Sequence, residues 1–156
     1  QMVIDTPIAF LETPEQVRAL DETEWRSRIA RSRSDGNTRV VAVAPDGTWV
    51  GSMSAFLSDG DPPYVIDPRP GARRANLVGV FIDPDWRGDA GVADALLSEI
   101  AEWARGEHLS ELYLHVGEAN VRARRYYQKR GFQETGVVAA IPEQPGVGEI
   151  EMVRAL

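Results

Sequence analysis

The sequence predicts an α/β (α+β) fold, with a mixed central sheet and helices packed on both of its faces. Runs of strand-forming residues alternate with amphipathic helical segments, and apolar residues make up 43% of the 156 positions, which is enough for a core. No segment repeats along the chain. We therefore expect residues 1–156 to form a single domain. Only residues 2–4 resemble a strand at its start, so we expect the N-terminal strand and helix to be incomplete by comparison with the family that the chain resembles, which is described below.

The composition narrows the classes of function. A formal net charge of −7 argues against a nucleic-acid partner, since such binders need excess basic residues to displace counterions. It suits cationic partners such as amines, although solubility alone is the simpler explanation. No apolar run spans a bilayer and no signal pattern is present, so we expect no membrane partner and a cytoplasmic location.

The residue types present also limit the chemistry. The chain has no cysteine, which excludes disulfides, thiolate metal sites and a cysteine nucleophile. Its two histidines, His108 and His115, are too few to suggest a histidine-built metal site. We therefore expect no metal.

The first half of the chain predicts a helix, a hairpin and a loop. Residues 13–32 have helical character, in one or two pieces. Residues 38–56 form two β-rich runs around the turn sequence PDGT, which is typical of a hairpin. Residues 57–74 are dense in Pro, Gly and Asp, and three carboxylates there either hold a cationic substrate or only form turns: Asp59, Asp61 and Asp67.

The second half predicts the centre of the sheet. Residues 75–83 are apolar over the length of a strand, so we expect a central strand. Gly79 within this strand has two interpretations. It marks a bulge or a close approach of another group to the backbone, or it makes room for a bulky neighbouring side chain. Residues 91–107 have apolar side chains at helical spacing.

The rest of the chain predicts one more helix between strands. Asn120 caps this helix and Gly131 ends it. The predicted strands cover residues 110–116, 132–141 and 148–156.

Gly88 and Gly91 lie where the central strand gives way to a helix. Main-chain N–H groups in a first helical turn have no partner within the helix, and the helix dipole adds partial positive charge there. Glycines let such a loop approach a phosphate closely, and Arg87 beside them could pair with it. The segment therefore predicts an anion site.

The spacing of this loop disfavours a nucleotide-phosphate-binding enzyme. A Walker loop ends in Gly-Lys-Ser/Thr, whereas the corresponding residues here are Gly91, Val92 and Ala93. A dinucleotide fingerprint needs G-x-G-x-x-G, which this segment lacks.

Two segments instead resemble the GNAT N-acetyltransferase superfamily. Residues 80–97 are similar to its acetyl-CoA-binding segment, a strand followed by Arg/Gln-x-x-Gly-x-Gly/Ala at the start of a helix. Residues 120–132 are similar to its Asn-x-x-Ala-x-x-x-Tyr-x-x-x-Gly-Phe segment, with matches at Asn120, Ala123, Tyr127, Gly131 and Phe132. Both segments, in this order with a strand between them, identify the chain as a bacterial-type member, and the resemblance covers roughly residues 38–155.

The resemblance implies acetyl transfer from acetyl-CoA to a primary amine of a small molecule or peptide. It also implies that the sheet is splayed at the acetyl-CoA site, and that the protein can form a homodimer. The residues that it assigns to the cofactor are Val80, Phe81, Ile82, Arg87, Gly88, Asp89, Ala90, Gly91, Val92, Ala93, Asn120 and Tyr127. Asn120 could equally act only as a helix cap.

The resemblance also assigns Tyr127 as the catalytic acid, with its hydroxyl facing the thioester sulfur. Tyrosine is a known class of general acid, although a packed aromatic on an amphipathic helix would be the simpler interpretation without the resemblance. Tyr126 points about 100° away on a helix and is expected in the core. The resemblance places the pantetheine arm along residues 80–82, with the N–H of Val80 nearest the oxyanion.

The sequence does not identify a general base. Many family members have a Glu early in the central strand, where this chain has Ala75 and Asn76. Glu118, Asp83 and His115 are nominal candidates, but a water chain to a remote carboxylate is the preferred hypothesis. The missing strand carboxylate leaves an alternative function, a non-catalytic acyl-CoA-binding or regulatory module.

Overall fold

The computed structural model describes residues 15, 19, 21–24, 26–27, 35–59, 73–88, 91–140 and 148–156. Residues 22–24 and 26–27 are helical, in agreement with the first predicted helix. The predictions for residues 2–4, for the rest of that helix, and for Asp61 and Asp67 lie outside the described residues.

Six strands form one mixed sheet in the order β1-β2-β3-β4-β6-β5. β3 and β4 run parallel, whereas the other neighbouring strands are antiparallel. The predicted strands are therefore confirmed, and the predicted central strand is indeed central. Their bounds are β1 Asn37–Val43, β2 Trp49–Asp59, β3 Arg73–Ile82, β4 Glu111–Gly117, β5 Gln133–Ala140 and β6 Gly148–Ala155.

The hairpin between β1 and β2 closes through the predicted turn. The N–H of Ala44 donates to the carbonyl of Thr48 at 2.8 Å, and the N–H of Thr48 donates to the carboxylate of Asp46 at 2.9 Å. Gly47 has φ +89°, a left-handed conformation that residues with a Cβ rarely adopt. Local turn chemistry thus sets the register of the first two strands.

Two helices follow, α1 (Val92–Gly106) and α2 (Val121–Gln128), and both were predicted. The Asn120 carboxamide oxygen accepts a hydrogen bond from the N–H of Ala123 at 3.2 Å, which confirms it as the cap of α2. Gly131 has φ +85° just after the helix, so it lets the chain turn back into β5.

One core joins the sheet to both helices. Its fully buried members include Met53, Ala75, Ile100, Leu112 and Met152, each with 0% of its surface exposed. Trp103, one of the apolar residues at helical spacing in α1, is only partly buried at the edge of this core. Both α1 and α2 contribute side chains to this core.

We predict that Ile100→Ala lowers the free energy of unfolding by about 2–5 kcal/mol, because it removes a buried side chain and leaves a cavity at the centre of α1. Urea denaturation measures the change. Ser98→Ala, on the exposed face of the same helix, is the control and should change stability by less than about 0.5 kcal/mol. Equal losses in the two variants would contradict this account of the core.

Candidate functional site

The two parallel strands at the centre of the sheet separate after a short stretch of pairing. β3 and β4 pair only at Ala75–Leu77 and Leu112–Leu114. Beyond this point the strands diverge toward their carboxyl ends, and a cleft of about 690 Å³ opens between them. The predicted splay of the sheet is therefore confirmed.

A β-bulge at Gly79 accompanies the divergence. In the pairing with β2, Ser54 lies opposite Val78 but Ser52 lies opposite Phe81, so β3 carries an extra residue between these two pairs. Gly79 has φ +59°, and the nearest neighbour of an added Cβ would be the Ser54 side chain at 3.6 Å. The bulge interpretation is therefore correct, and the bulky-neighbour alternative is wrong.

The bulge changes which side chains of β3 face the core. Val80 and Ile82 pack against the core after the bulge, and a Cβ on Gly51 would lie 3.0 Å from the end of Ile82. Val78, before the bulge, is exposed. The three residues predicted to bind the pantetheine arm, Val80, Phe81 and Ile82, all line the cleft.

The amino terminus of α1 forms another wall of the cleft. Gly88 and Gly91 line it with φ +88° and +70°, which explains why glycine is needed at both positions. Gly91 precedes the first helical turn and has no side chain to cap it, so the first N–H groups of α1 stay available to an anion. Ala93 lines the cleft, and the predicted Asp89 and Ala90 lie outside the described residues.

Three residues near this turn have contacts that the sequence did not predict. Arg87 lines the cleft, but its Nε donates to the carbonyl of Ile82 at 2.8 Å, so it also fixes the end of β3. The side chain of Val92 is buried in the core, which leaves only its main chain for a cofactor. Asp83, a nominal base, accepts from the N–H of Asp85 at 3.0 Å and caps a short 3₁₀ turn.

Tyr127 is a buried aromatic that reaches the cleft. Only 7% of its surface is exposed, and its ring packs edge-on against Tyr126 and Phe132. Burial raises the pKa of the Tyr127 hydroxyl to about 12, since the phenolate would lose its hydration. The hydroxyl therefore keeps its proton at neutral pH, as a proton donor must.

Tyr126 has a different environment, and the prediction that it belongs to the core is correct only in part. Its ring packs at the edge of the core, while its hydroxyl donates to the Asp94 carboxylate at 3.0 Å. Arg130 lies 3.9 Å above the same ring and also binds Asp94, at 2.7 Å through Nη2. Burial and Asp94 together raise the pKa of Tyr126, so this hydroxyl is committed to a structural network.

Of the nominal bases, His115 lines the cleft. Its Nε2 is buried and lies 3.9 Å from a carboxylate oxygen of Glu151, with no hydrogen-bond partner in the described chain. Burial lowers the pKa of His115, while Glu151 partly opposes this effect and Arg74 adds to it. His115 is therefore neutral at pH 7 and able to accept a proton.

Asn120 also lines the cleft, so its capping role and contact with a cofactor are compatible.

Sequence reasoning missed a carboxylate, Glu149, which lies half-buried in β6 and lines the cleft. Burial raises its pKa. The signal was the alternation of Glu149 and Glu151 with apolar residues in β6, which puts both carboxylates on one face of the sheet. Glu151 is 2% exposed and pairs with the buried Arg74 at 3.0 Å.

The charges around the cleft are unevenly distributed. α2 and the residues just after it supply cationic side chains, and Arg87 adds another from the turn before α1. Those on or next to α2 are Arg122, Arg125, Lys129 and Arg130.

Within the described residues, no group of three His, Asp or Glu side chains could hold a metal ion, and no helix has the length and hydropathy to cross a membrane.

The cleft brings together a splayed sheet, a glycine-flanked helix start and a buried tyrosine. The sequence model described as the acetyltransferase (GNAT) family matches residues 4–132, so the chain belongs to that family. Acetyl-CoA is the acetyl donor of GNAT enzymes.

Individual relatives agree with this assignment. The chain is 29% identical to the mycothiol acetyltransferase of Clavibacter michiganensis over 97% of its own length and 46% of that protein. A GCN5-related N-acetyltransferase from Kribbella flavida has a TM-score of 0.68 and 27% identity, over 99% of this chain and 86% of that one. PaiA N-acetyltransferase from Thermoplasma acidophilum, solved with coenzyme A, shares the fold with a TM-score of 0.62 and 18% identity, over 94% of this chain and 81% of that one. The chain spans less than half the length of the curated relatives that it matches.

We predict that Gly79→Ala destabilises the protein by about 1–2 kcal/mol and weakens binding of CoA, because an L-residue resists the left-handed conformation at the bulge. Urea denaturation and titration with CoA measure the two effects. Gly106→Ala is the matched control, because an added Cβ there meets nothing within 4 Å and alanine favours a helix. If Gly79→Ala behaves like the control, the bulge is not needed for the cleft.

Proposed function

We propose that this protein transfers an acetyl group from acetyl-CoA to a primary amine of a small molecule or peptide. The observation that carries the proposal is that Tyr127, a buried tyrosine, lines the cleft where β3 and β4 separate. A protein that only binds an acyl-CoA has no need of a proton donor at this point.

The cofactor would lie along the elements that line the cleft. The diphosphate would bind the main-chain N–H groups at the start of α1, between Gly88 and Ala93, with Asp89, Ala90 and Val92 contributing main chain and Arg87 a positive charge. The pantetheine arm would pair with the main chain of residues 80–82, since β4 no longer pairs with this part of β3. Asn120 would contact it from the start of α2.

The reaction needs three proton transfers and one stabilised oxyanion, because the nitrogen loses one proton before it attacks and another afterwards, and the departing thiolate gains one. The substrate ammonium must lose a proton before it attacks the thioester carbonyl, and neutral His115 provides an acceptor in the cleft. The N–H of Val80 is the proposed donor to the oxyanion that forms on the carbonyl oxygen. As the carbon–sulfur bond breaks, Tyr127 would give its proton to the departing thiolate. The nitrogen bonded to the acetyl carbon would then lose its extra proton to the Tyr127 phenolate, which leaves a neutral amide and restores the Tyr127 hydroxyl.

Addition of CoA should raise the melting temperature of the protein, because a ligand that binds only the folded state stabilises it. The expected gain is about 2.7 kcal/mol when CoA is present at about 100 times its Kd. Scanning calorimetry measures the shift, and adenosine without the pantetheine arm is the comparison ligand. The cofactor assignment is wrong if saturating CoA leaves the melting temperature unchanged.

Tyr127→Phe should lower kcat by about 10²–10⁴-fold, the usual contribution of a positioned acid, with little change in CoA affinity. The wild-type rate should not fall between pH 8 and pH 10 through loss of the Tyr127 proton, because the raised pKa of about 12 keeps the hydroxyl protonated there. Release of CoA can be followed with a thiol reagent against a panel of amines, since the chain has no cysteine to react.

Tyr126→Phe is the matched control for this variant. Its hydroxyl already donates to Asp94, so its removal should leave kcat within about threefold of wild type. If Tyr127→Phe keeps full kcat, Tyr127 is not the acid; if no amine in the panel releases CoA although CoA binds, the alternative of a non-catalytic acyl-CoA-binding module is favoured.

A further inference from the structure

Glu149 in β6 lies where a substrate could reach it from the cleft. In the sheet its Cα pairs with Gly117 of β4 on one side and with Ala139 of β5 on the other. Gly117 is the last residue of β4 and also lines the cleft. Because Gly117 has no side chain, nothing on β4 at this position separates the Glu149 carboxylate from the opening between β3 and β4.

Two carboxylates line the cleft in the described chain, Asp94 and Glu149, and they differ in whether they have a hydrogen-bond partner. Asp94 is held by Arg130 and by the Tyr126 hydroxyl, so its charge is already compensated. Glu149 has no hydrogen bond or ion pair with any described residue, although it is half-buried. A half-buried carboxylate without a partner is unfavourable, and a cation in the cleft would relieve that cost.

Burial alone raises the pKa of Glu149, with no contribution from a described cation. His115 lies diagonally across from it on the same face of the sheet and is neutral. Glu151, two residues further along the same face, is satisfied by Arg74. The cationic side chains of the cleft lie instead on or next to α2 and at Arg87, where the phosphates of the cofactor are proposed to bind.

We propose that Glu149 binds an ammonium group of the substrate. The protein therefore selects primary amines whose net charge is positive over primary amines whose net charge is zero or negative. The inference rests on the proposed function for the direction from which the substrate enters. In this proposal the cofactor binds the cationic end of the cleft, and the amine binds the Glu149 carboxylate.

A titration of the CoA-bound protein tests the pairing without requiring turnover. The side-chain carboxyl carbons are followed by ¹³C NMR with n-butylammonium chloride and, separately, with sodium chloride at the same ionic strength. The Glu149 signal is identified by its loss in Glu149→Gln. We expect n-butylammonium, but not sodium, to lower the pKa of Glu149 by at least about half a unit, because an adjacent cation favours the carboxylate. An unchanged Glu149 titration in protein that binds CoA would overturn the inference.

Steady-state kinetics with the amines of the panel that are acetylated provide a second test. Glu149→Gln should raise the KM for a cationic amine about tenfold and leave the KM for acetyl-CoA unchanged. Glu99→Gln removes the same charge from the exposed face of α1 and should change neither value. An equal effect of the two variants would mean that only net charge matters and that Glu149 is not the binding group.

The two proposals fail in different ways. If CoA produces no thermal shift, the proposed function fails whatever Glu149 does. If CoA binds and amines are acetylated, but Glu149→Gln keeps the wild-type KM for the amine, only the inference about Glu149 is wrong. Glu149→Asp, which keeps the charge, should restore part of the amine affinity that Glu149→Gln loses, whereas a loss caused by misfolding would not be restored.

Discussion

The site depends on the separation of two parallel strands at the centre of the sheet. β3 and β4 pair over three residues each and then diverge, so the main chain of β3 beyond Leu77 pairs with β2 on one side but no longer with β4 on the other. Buried main-chain groups are costly without hydrogen bonds, and an extended ligand can satisfy them. The bulge at Gly79 supports the divergence, since it keeps Val80 and Ile82 in the core while the strand turns away.

The electrostatics of the cleft follow from which element supplies each charge. α2 and the turn before α1 bring cations to the cleft, and the start of α1 adds its unpartnered N–H groups. β6 brings two carboxylates, of which Glu151 is neutralised by Arg74 and Glu149 is not paired within the described chain. His115 lies between these regions, and burial keeps it neutral. The cleft thus combines cationic side chains, a buried tyrosine, a neutral histidine and a carboxylate that has no partner in the described chain.

Much of the fold and part of the site could be predicted from the sequence because their causes are local. The turn around Gly47, the cap at Asn120 and the glycines that flank α1 are set by the chemistry of a few adjacent residues. The resemblance of two segments to the GNAT family predicted that Tyr127 and the glycine loop share one site, because each motif is continuous along the chain, and both line the cleft. The side-chain roles of Asp83 and Arg87 could not be predicted, because each depends on a hydrogen bond that forms only when the loop after β3 folds back.

By itself, the sequence determined the order of strands and helices, the family and the residues of its two motifs. Only the tertiary structure decided how residues far apart along the chain meet. Arg74 and Glu151, which are 77 positions apart, pair because β3, β4 and β6 are neighbours in the sheet. Glu149 reaches the cleft because the β4–β6 register puts it opposite a glycine. Register between distant strands is set by the packing of the whole core, which no local pattern contains.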